Sequence, residues 1–170
     1  NGLTWQEDGR ARKTNPEAFN QELDDLPFPL WERFPLEGYW LAGFAHAPNT
    51  EYKFLPILTS RGCPYRCTFC ISPSLNPTWR GRSKKSVADE MEYFYRELGV
   101  GEYHVSDLDP TVNDKRTKEV ARELISRALP ITWKFAQGTK IETIKSFETL
   151  ELLRESGLTF SAFSPESGSK

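Results

Sequence analysis

Outside one short loop this chain has no cysteine at all, and across all 170 residues it has two histidines and one methionine. An odd cysteine count confined to one loop excludes the paired, dispersed pattern of a disulfide framework. Charge of one sign is also missing: 22 basic and 24 acidic side chains give a net charge of −2. No broad basic field is present to hold nucleic acid by its phosphates. No apolar run is long enough to span a bilayer, and the N-terminus carries no signal-peptide pattern. These absences point to a reducing cytoplasm. The chain begins at Asn1 without a Met and stops at Gly168-Ser169-Lys170 just after an apolar run, which is the look of a fragment.

What is present is ordered. Asp8-Gly9 between Thr4-Trp5-Gln6 and Ala11-Arg12-Lys13 is a hairpin signal. Residues 14–50 read as irregular, and Leu26-Pro27-Phe28-Pro29-Leu30-Trp31 as an extended stretch lying on its own domain. From residue 54 strands and helices alternate. Strands are expected at 54–59, 102–106, 131–137 and 158–163. Helices are expected at 86–98 capped by Ser86, from Asn113 or Asp114 to Pro130, and after Ser146. Alternation at this spacing implies βαβ units and a parallel sheet. The fold class is α/β: four strands and three helices, half of a β/α barrel. The domain reading places a linker, or the end of an upstream domain, at 1–50 and the half barrel at 51–170. In such folds chemistry collects at the C-terminal ends of the strands.

The cysteines fall in the first such loop, as Cys63-x3-Cys67-x2-Cys70. Three soft thiolates with no fourth cysteine suit an iron–sulfur cubane with one iron left open. The competing metal is structural zinc, which needs four ligands and would draw on His46 or His104. His104 also reads as a core histidine, and Arg80 and Arg82 either as anion binders or as parts of a solvated turn or a helix-adjacent salt bridge.

The loop Thr59-Ser60-Arg61-Gly62-Cys63-Pro64-Tyr65-Arg66-Cys67-Thr68-Phe69-Cys70 resembles the signature of radical S-adenosylmethionine (radical SAM) enzymes. The likeness continues through Arg80-Gly81-Arg82-Ser83, Val105-Ser106-Asp107-Leu108-Asp109, 150–157 and Glu166-Ser167-Gly168-Ser169. The resemblance implies a 4Fe-4S cluster on Cys63, Cys67 and Cys70 whose open iron chelates S-adenosylmethionine. It also implies Phe69 against the adenine, Asp107 toward the methionyl ammonium, Lys140 toward the carboxylate, and Glu166 and Ser167 at the ribose or methionyl end. Ser164-Pro165 departs from the glycine and aliphatic residue usual before Glu-Ser-Gly. The opening of the chain, with Leu23-Asp24-Asp25-Leu26-Pro27-Phe28-Pro29, looks like the junction after a cobalamin-binding domain, so cobalamin held upstream is implied for that branch. The implied partners are a small-molecule substrate and an electron donor such as a flavodoxin or ferredoxin. A zinc-stabilised binding module and a catalytically inactive remnant are the other two function classes.

Overall fold

The computed structural model of the protein describes residues 2–163 except Pro16, Phe44, His46 and Pro77, together with Pro165 and Gly168. Glu166, Ser167 and His46, each assigned a role above, lie outside the described residues.

The chain opens with β1 (Thr4–Glu7) and β2 (Arg10–Lys13), paired antiparallel. Asp8 at φ 49° and Gly9 at φ 74° form the two-residue turn that a twisted hairpin requires. The stretch to residue 50 is less irregular than expected. It contains 3₁₀ turns at Leu23–Asp25 and Trp31–Arg33 and a helix α1 (Leu36–Ala42). The proline-spaced segment does lie on its own chain, with Phe28 ringed at 5.8 Å by Tyr93 and at 6.3 Å by Phe94.

The body follows as β3 (Phe54–Ile57), β4 (Ser60–Arg61), α2 (Ser72–Leu75), β5 (Arg80–Gly81), α3 (Lys84–Leu98), β6 (Glu102–Val105), α4 (Asp114–Arg127), β7 (Thr132–Thr139), α5 (Phe147–Glu155) and β8 (Leu158–Phe163). Strands β3-β6-β7-β8 form one parallel sheet in that order. This is the expected α/β sheet, with β3 and β8 as its open edges.

Alternation along each strand sorts its side chains between two faces. Leu55 and Ile57, Tyr103 and Val105, and Trp133 and Phe135 share the core with Val87, Met91 and Phe94 of α3, Val120 and Leu124 of α4, and Leu153 of α5. The polar tips find partners there: the Tyr103 hydroxyl donates to the Met91 carbonyl at 2.6 Å, and Trp133 Nε1 to the Ser156 carbonyl at 3.0 Å.

The other face carries charge. Glu102 and Lys134, both fully buried, form an ion pair at 2.8 Å, and His104 Nε2 meets Glu102 Oε1 at 3.0 Å. Segment 47–51 closes over this pair. Thr50 N–H, the Thr50 hydroxyl and Glu51 N–H donate to Glu102 Oε2, while Lys134 Nζ donates to the carbonyls of Ala47 and Pro48 and to Asn49 Oδ1. His104 also stacks on Phe54, at 4.7 Å and 7° between planes.

Helix starts are set by side chains. Asn113 and Ser146 cap α4 and α5 as the sequence implies, by accepting from Arg116 N–H and Thr149 N–H. For α3 the cap is Ser83, not Ser86: Ser83 Oγ accepts from Ser86 N–H at 3.1 Å. Lys84 and Lys85 make a polar first turn that apolar periodicity does not register. At the other end α4 stops at Ala128 in the left-handed conformation, φ 49°, before Pro130 is reached. Among the described residues no helix is long and apolar enough to cross a membrane.

Candidate active site

The cysteine loop leaves the C-terminal end of β3 and is gathered at its neck. Strands β4 and β5 pair antiparallel, Ser60 with Gly81 and Arg61 with Arg80, so residues 62–79 emerge as a closed loop. Periodicity has no power to reveal a ladder of two rungs. Two arginines fasten the neck from below. Arg116 of α4 donates to the Thr59 carbonyl at 2.5 Å and the Arg82 carbonyl at 2.8 Å. Arg82 donates to the Leu58 carbonyl at 3.0 Å and is paired with the buried carboxylate of Glu90. Arg80 is buried, giving its guanidinium to the Asn20 and Thr78 carbonyls and to Asn76 Oδ1. Of the readings for these two residues, the helix-adjacent salt bridge holds for Arg82, which pairs with Glu90 of α3. Arg80 is instead a buried tie to two backbone carbonyls and the Asn76 side chain.

Asp107, just past β6, completes the neck. It is 1 % exposed; Oδ1 accepts from Thr59 N–H at 2.7 Å and Oδ2 from the hydroxyls of Thr59 at 2.6 Å and Ser60 at 2.5 Å. Burial raises its pKa, opposed by these bonds and by the charge of Arg116. Its partners are therefore the residues that launch the loop. These are bonds within the protein, made beside the role toward the ligand ammonium that the resemblance implies for Asp107.

Gly62 turns the chain into the loop at φ 85°, and a Cβ there would stand 2.1 Å from the Thr78 carbonyl oxygen. No other residue fits that position without moving the neck. Cys63 N–H then donates to the Asn76 carbonyl, and Cys70 N–H to the Cys67 carbonyl. All three thiols are unpaired; Cys63 and Cys67 are half-buried and Cys70 is exposed. Burial pushes the Cys63 thiol up, with the charge of Asp109 adding to it against a hydrogen bond from the Tyr65 backbone. The Ser72 hydroxyl and N–H bring the Cys70 thiol down, the N–H lying 3.4 Å from Sγ. Among the described residues no three His, Cys, Asp or Glu side chains gather around a single-ion position. His104, a ligand candidate under the zinc reading, is engaged with Glu102 in the strand interior.

Around the thiols stand the other expected residues. Phe69, between Cys67 and Cys70 in the loop, is 71 % exposed. Lys140, just beyond β7, has its ammonium 4.4 Å above the Tyr65 ring, a cation–π contact that joins the end of β7 to the cysteine loop. A further group went unnoticed in the sequence. Asp109, Thr111, Thr139 and Thr143 form a buried cluster between the ends of β6 and β7. Its signal, a threonine after each of two strands beside an aspartate, has meaning only once the strands are adjacent.

Three unpaired thiols in one loop at the C-terminal end of a parallel strand fit the donor set of a cluster ligated by three cysteines. The comparisons with known proteins agree. The sequence family described as the Radical SAM superfamily matches residues 57–170. The chain is 28 % identical over 169 residues to an uncharacterized methyltransferase of Pyrococcus horikoshii, covering 99 % of this chain and 34 % of that protein. It is 34 % identical over 149 residues to the cytidylyl-2-hydroxyethylphosphonate methyltransferase of Streptomyces wedmorensis, covering 86 % of this chain and 27 % of that protein. The radical S-adenosylmethionine methyltransferase TsrM of Kitasatospora setae, solved with tryptophan and a SAM analogue, superposes with a TM-score of 0.58 at 25 % identity. That match covers 67 % of this chain and 22 % of TsrM, which has also been solved with cobalamin and a [4Fe-4S] cluster. The chain thus spans about a third or less of these relatives, and with the family match over residues 57–170 it belongs to the radical SAM superfamily.

Proposed function

We propose that this chain is the cofactor-handling part of a radical SAM methyltransferase acting on a small molecule. The observation that carries the reading is the cysteine loop: three unpaired thiols on a neck pinned by Asp107, Arg82 and Arg116. Cys63, Cys67 and Cys70 would hold a 4Fe-4S cluster, and S-adenosylmethionine would bind beside it. Bound there, the pair supplies one-electron reductive cleavage of a sulfonium carbon–sulfur bond. The chain's own work is to present the thiols, keep the neck rigid and offer Phe69 as a stacking face for the adenine. Lys140 is proposed for the cofactor carboxylate, reached by leaving the Tyr65 ring, and Glu166 and Ser167 for its ribose or methionyl end. Methyl transfer is favoured because the Streptomyces wedmorensis relative and TsrM are named methyltransferases. Cobalamin, bound outside this chain, is proposed as the methyl carrier on the same ground. A flavodoxin or ferredoxin in a reducing cytoplasm would deliver the electron.

The test is the full-length protein, reconstituted anaerobically with iron and sulfide and given dithionite and S-adenosylmethionine. Reductive cleavage yields methionine and 5′-deoxyadenosine in equal amounts, and methyl transfer yields S-adenosylhomocysteine. A cluster-loaded protein that consumes no S-adenosylmethionine, with or without cobalamin, contradicts the reading and leaves an inactive remnant.

A further inference from the structure

Asp109 is 2 % exposed, and its two oxygens are treated very differently by the fold. Oδ1 accepts from Thr111 N–H at 3.1 Å, the Thr111 hydroxyl at 3.1 Å and the Thr139 hydroxyl at 2.7 Å. Oδ2 is buried without any hydrogen-bond partner, one of three such side-chain atoms among the described residues. The other two are indole N–H groups, of Trp31 and Trp79, so Asp109 is the acidic group among them. Leaving a buried carboxylate oxygen without a protein partner is expensive, and a native fold retains such an atom where something else is meant to meet it.

Position says what that is. Asp109 stands two residues beyond Asp107, whose carboxylate holds Thr59 and Ser60 at the neck of the cysteine loop. Thr139, which donates to Asp109, adjoins Lys140, whose ammonium lies 4.4 Å over the Tyr65 ring of that loop. Behind the effect of burial, the charge of Asp109 pushes the Cys63 thiol and the Tyr65 hydroxyl up. A fixed negative charge beside a three-thiolate cluster opposes the addition of an electron, and low local dielectric strengthens the effect. Charge and hydrogen bonding around a cluster are the means by which a protein sets its potential. Oδ2 is enclosed in this structure, so a cationic ligand meets it once the Asp109 side chain turns toward the loop, and one that donates to Oδ2 removes this opposition.

Resting on the cluster reading above, we propose that Asp109 is an electrostatic gate: its unpartnered oxygen keeps the cluster hard to reduce until a cationic ligand seated over the loop donates to it. The step gated is the transfer of one electron from a low-potential reductant to the oxidised cluster, with no bond made or broken. S-adenosylmethionine supplies the cation, with its amino group as the donor to Oδ2 and its sulfonium adding positive charge without donating. Reduction is thereby coupled to occupancy, and the cluster is protected from futile reduction in its absence.

The experiment is an EPR-monitored redox titration with dithionite of the full-length reconstituted protein, with and without S-adenosylmethionine, for wild type, Asp109→Asn and Thr139→Val. Asn keeps the acceptor that Thr111 and Thr139 use and removes the charge. Without the ligand, Asp109→Asn is expected to raise the ratio of reduced to oxidised cluster about tenfold at a fixed poise, about 59 mV for a one-electron couple. Adding S-adenosylmethionine moves the wild type in the same direction and leaves the Asn variant nearly still. Thr139→Val strips a donor from the carboxylate and moves the midpoint the other way, which general loosening of the site would not do. Asp109→Asn with an unchanged midpoint and a full ligand-induced shift overturns the gate. So does a loaded wild type whose midpoint ignores the ligand. If Asp109→Asn holds no cluster, Thr139→Val decides: a lowered midpoint supports the gate, and an unchanged or raised one overturns it. A wild type that takes up no cluster overturns this proposal together with the reading it rests on, whereas the other failures leave that reading standing.

Discussion

Replacing any one of Cys63, Cys67 or Cys70 with Ala is expected to abolish cluster retention, while helix and sheet content stay at the wild-type level. The reason is the donor count. The chain has three cysteines and all three lie in the loop. A cluster on three thiolates has no spare protein sulfur to recruit when one is lost. Folding does not depend on the thiols to the same degree. Cys70 is exposed and Cys63 and Cys67 are half-buried, and the neck is held by Asp107, Arg82 and Arg116. The measurement is iron and acid-labile sulfide per chain after anaerobic reconstitution, beside circular dichroism of the same samples. A variant that retains full iron and sulfide would show that its cysteine is not a ligand. Loss of secondary structure in all three would make the cysteines structural and return weight to zinc.

The largest effect on stability is expected from Lys134→Met. Lys134 and Glu102 are both wholly buried, on adjacent strands in the middle of the sheet. Burial pushes the Glu102 carboxyl up, but the Lys134 ammonium and the donors from Thr50 and Glu51 outweigh it and hold the carboxyl at about 2, against an ordinary 4.5. Methionine fills much of the lysine volume but leaves Glu102 as a buried charge without its cation. Breaking a buried pair in this way costs about 3–5 kcal/mol. The double variant Glu102→Gln, Lys134→Met removes both charges and is expected to recover a large part of the loss. Denaturant unfolding followed by tryptophan fluorescence reads both, since the neighbouring Trp133 is buried in the core.

The pair also fixes an acid limit. Because the folded-state carboxyl lies below its unfolded value, its stabilisation is complete above about 4.5 and disappears as the pH falls toward about 2. With Lys134 gone the depression shrinks, so Lys134→Met is expected to lose less stability than the wild type between about pH 4.5 and 2, from a lower starting stability. Equal stability of the single and double variants, or an acid-dependent loss as large as that of the wild type, would mean that the pair is not what ties β6 to β7.

How much of this was readable in the sequence depends on how local each feature is. The hairpin at Asp8-Gly9, the order of strands and helices, and the caps at Asn113 and Ser146 rest on neighbours a few residues apart, and they appear in the structure where composition and period place them. The α3 cap was misplaced by one turn, from Ser83 to Ser86, because Lys84 and Lys85 carry no apolar signal. The pinning of the cysteine loop was not legible. Asp107 is 48 residues from Thr59, Arg116 is 57 from it, and Lys134 is 85 from Asn49. Each of these side chains acquires its role only when β3, β6 and β7 stand side by side. For the same reason the two aspartates of this turn could not be told apart. Two aspartates flank Leu108 in the sequence, and only the fold shows that one has both oxygens occupied while the other keeps one unpartnered.

The most direct test of the central claim is low-temperature EPR of the full-length protein, reconstituted with iron and sulfide and reduced anaerobically, recorded before and after adding S-adenosylmethionine. Three thiolates and an open iron predict a 4Fe-4S signal that changes in shape and position when the cofactor binds. A cluster signal indifferent to the cofactor, or a protein that takes up a single zinc and no iron, would contradict the account.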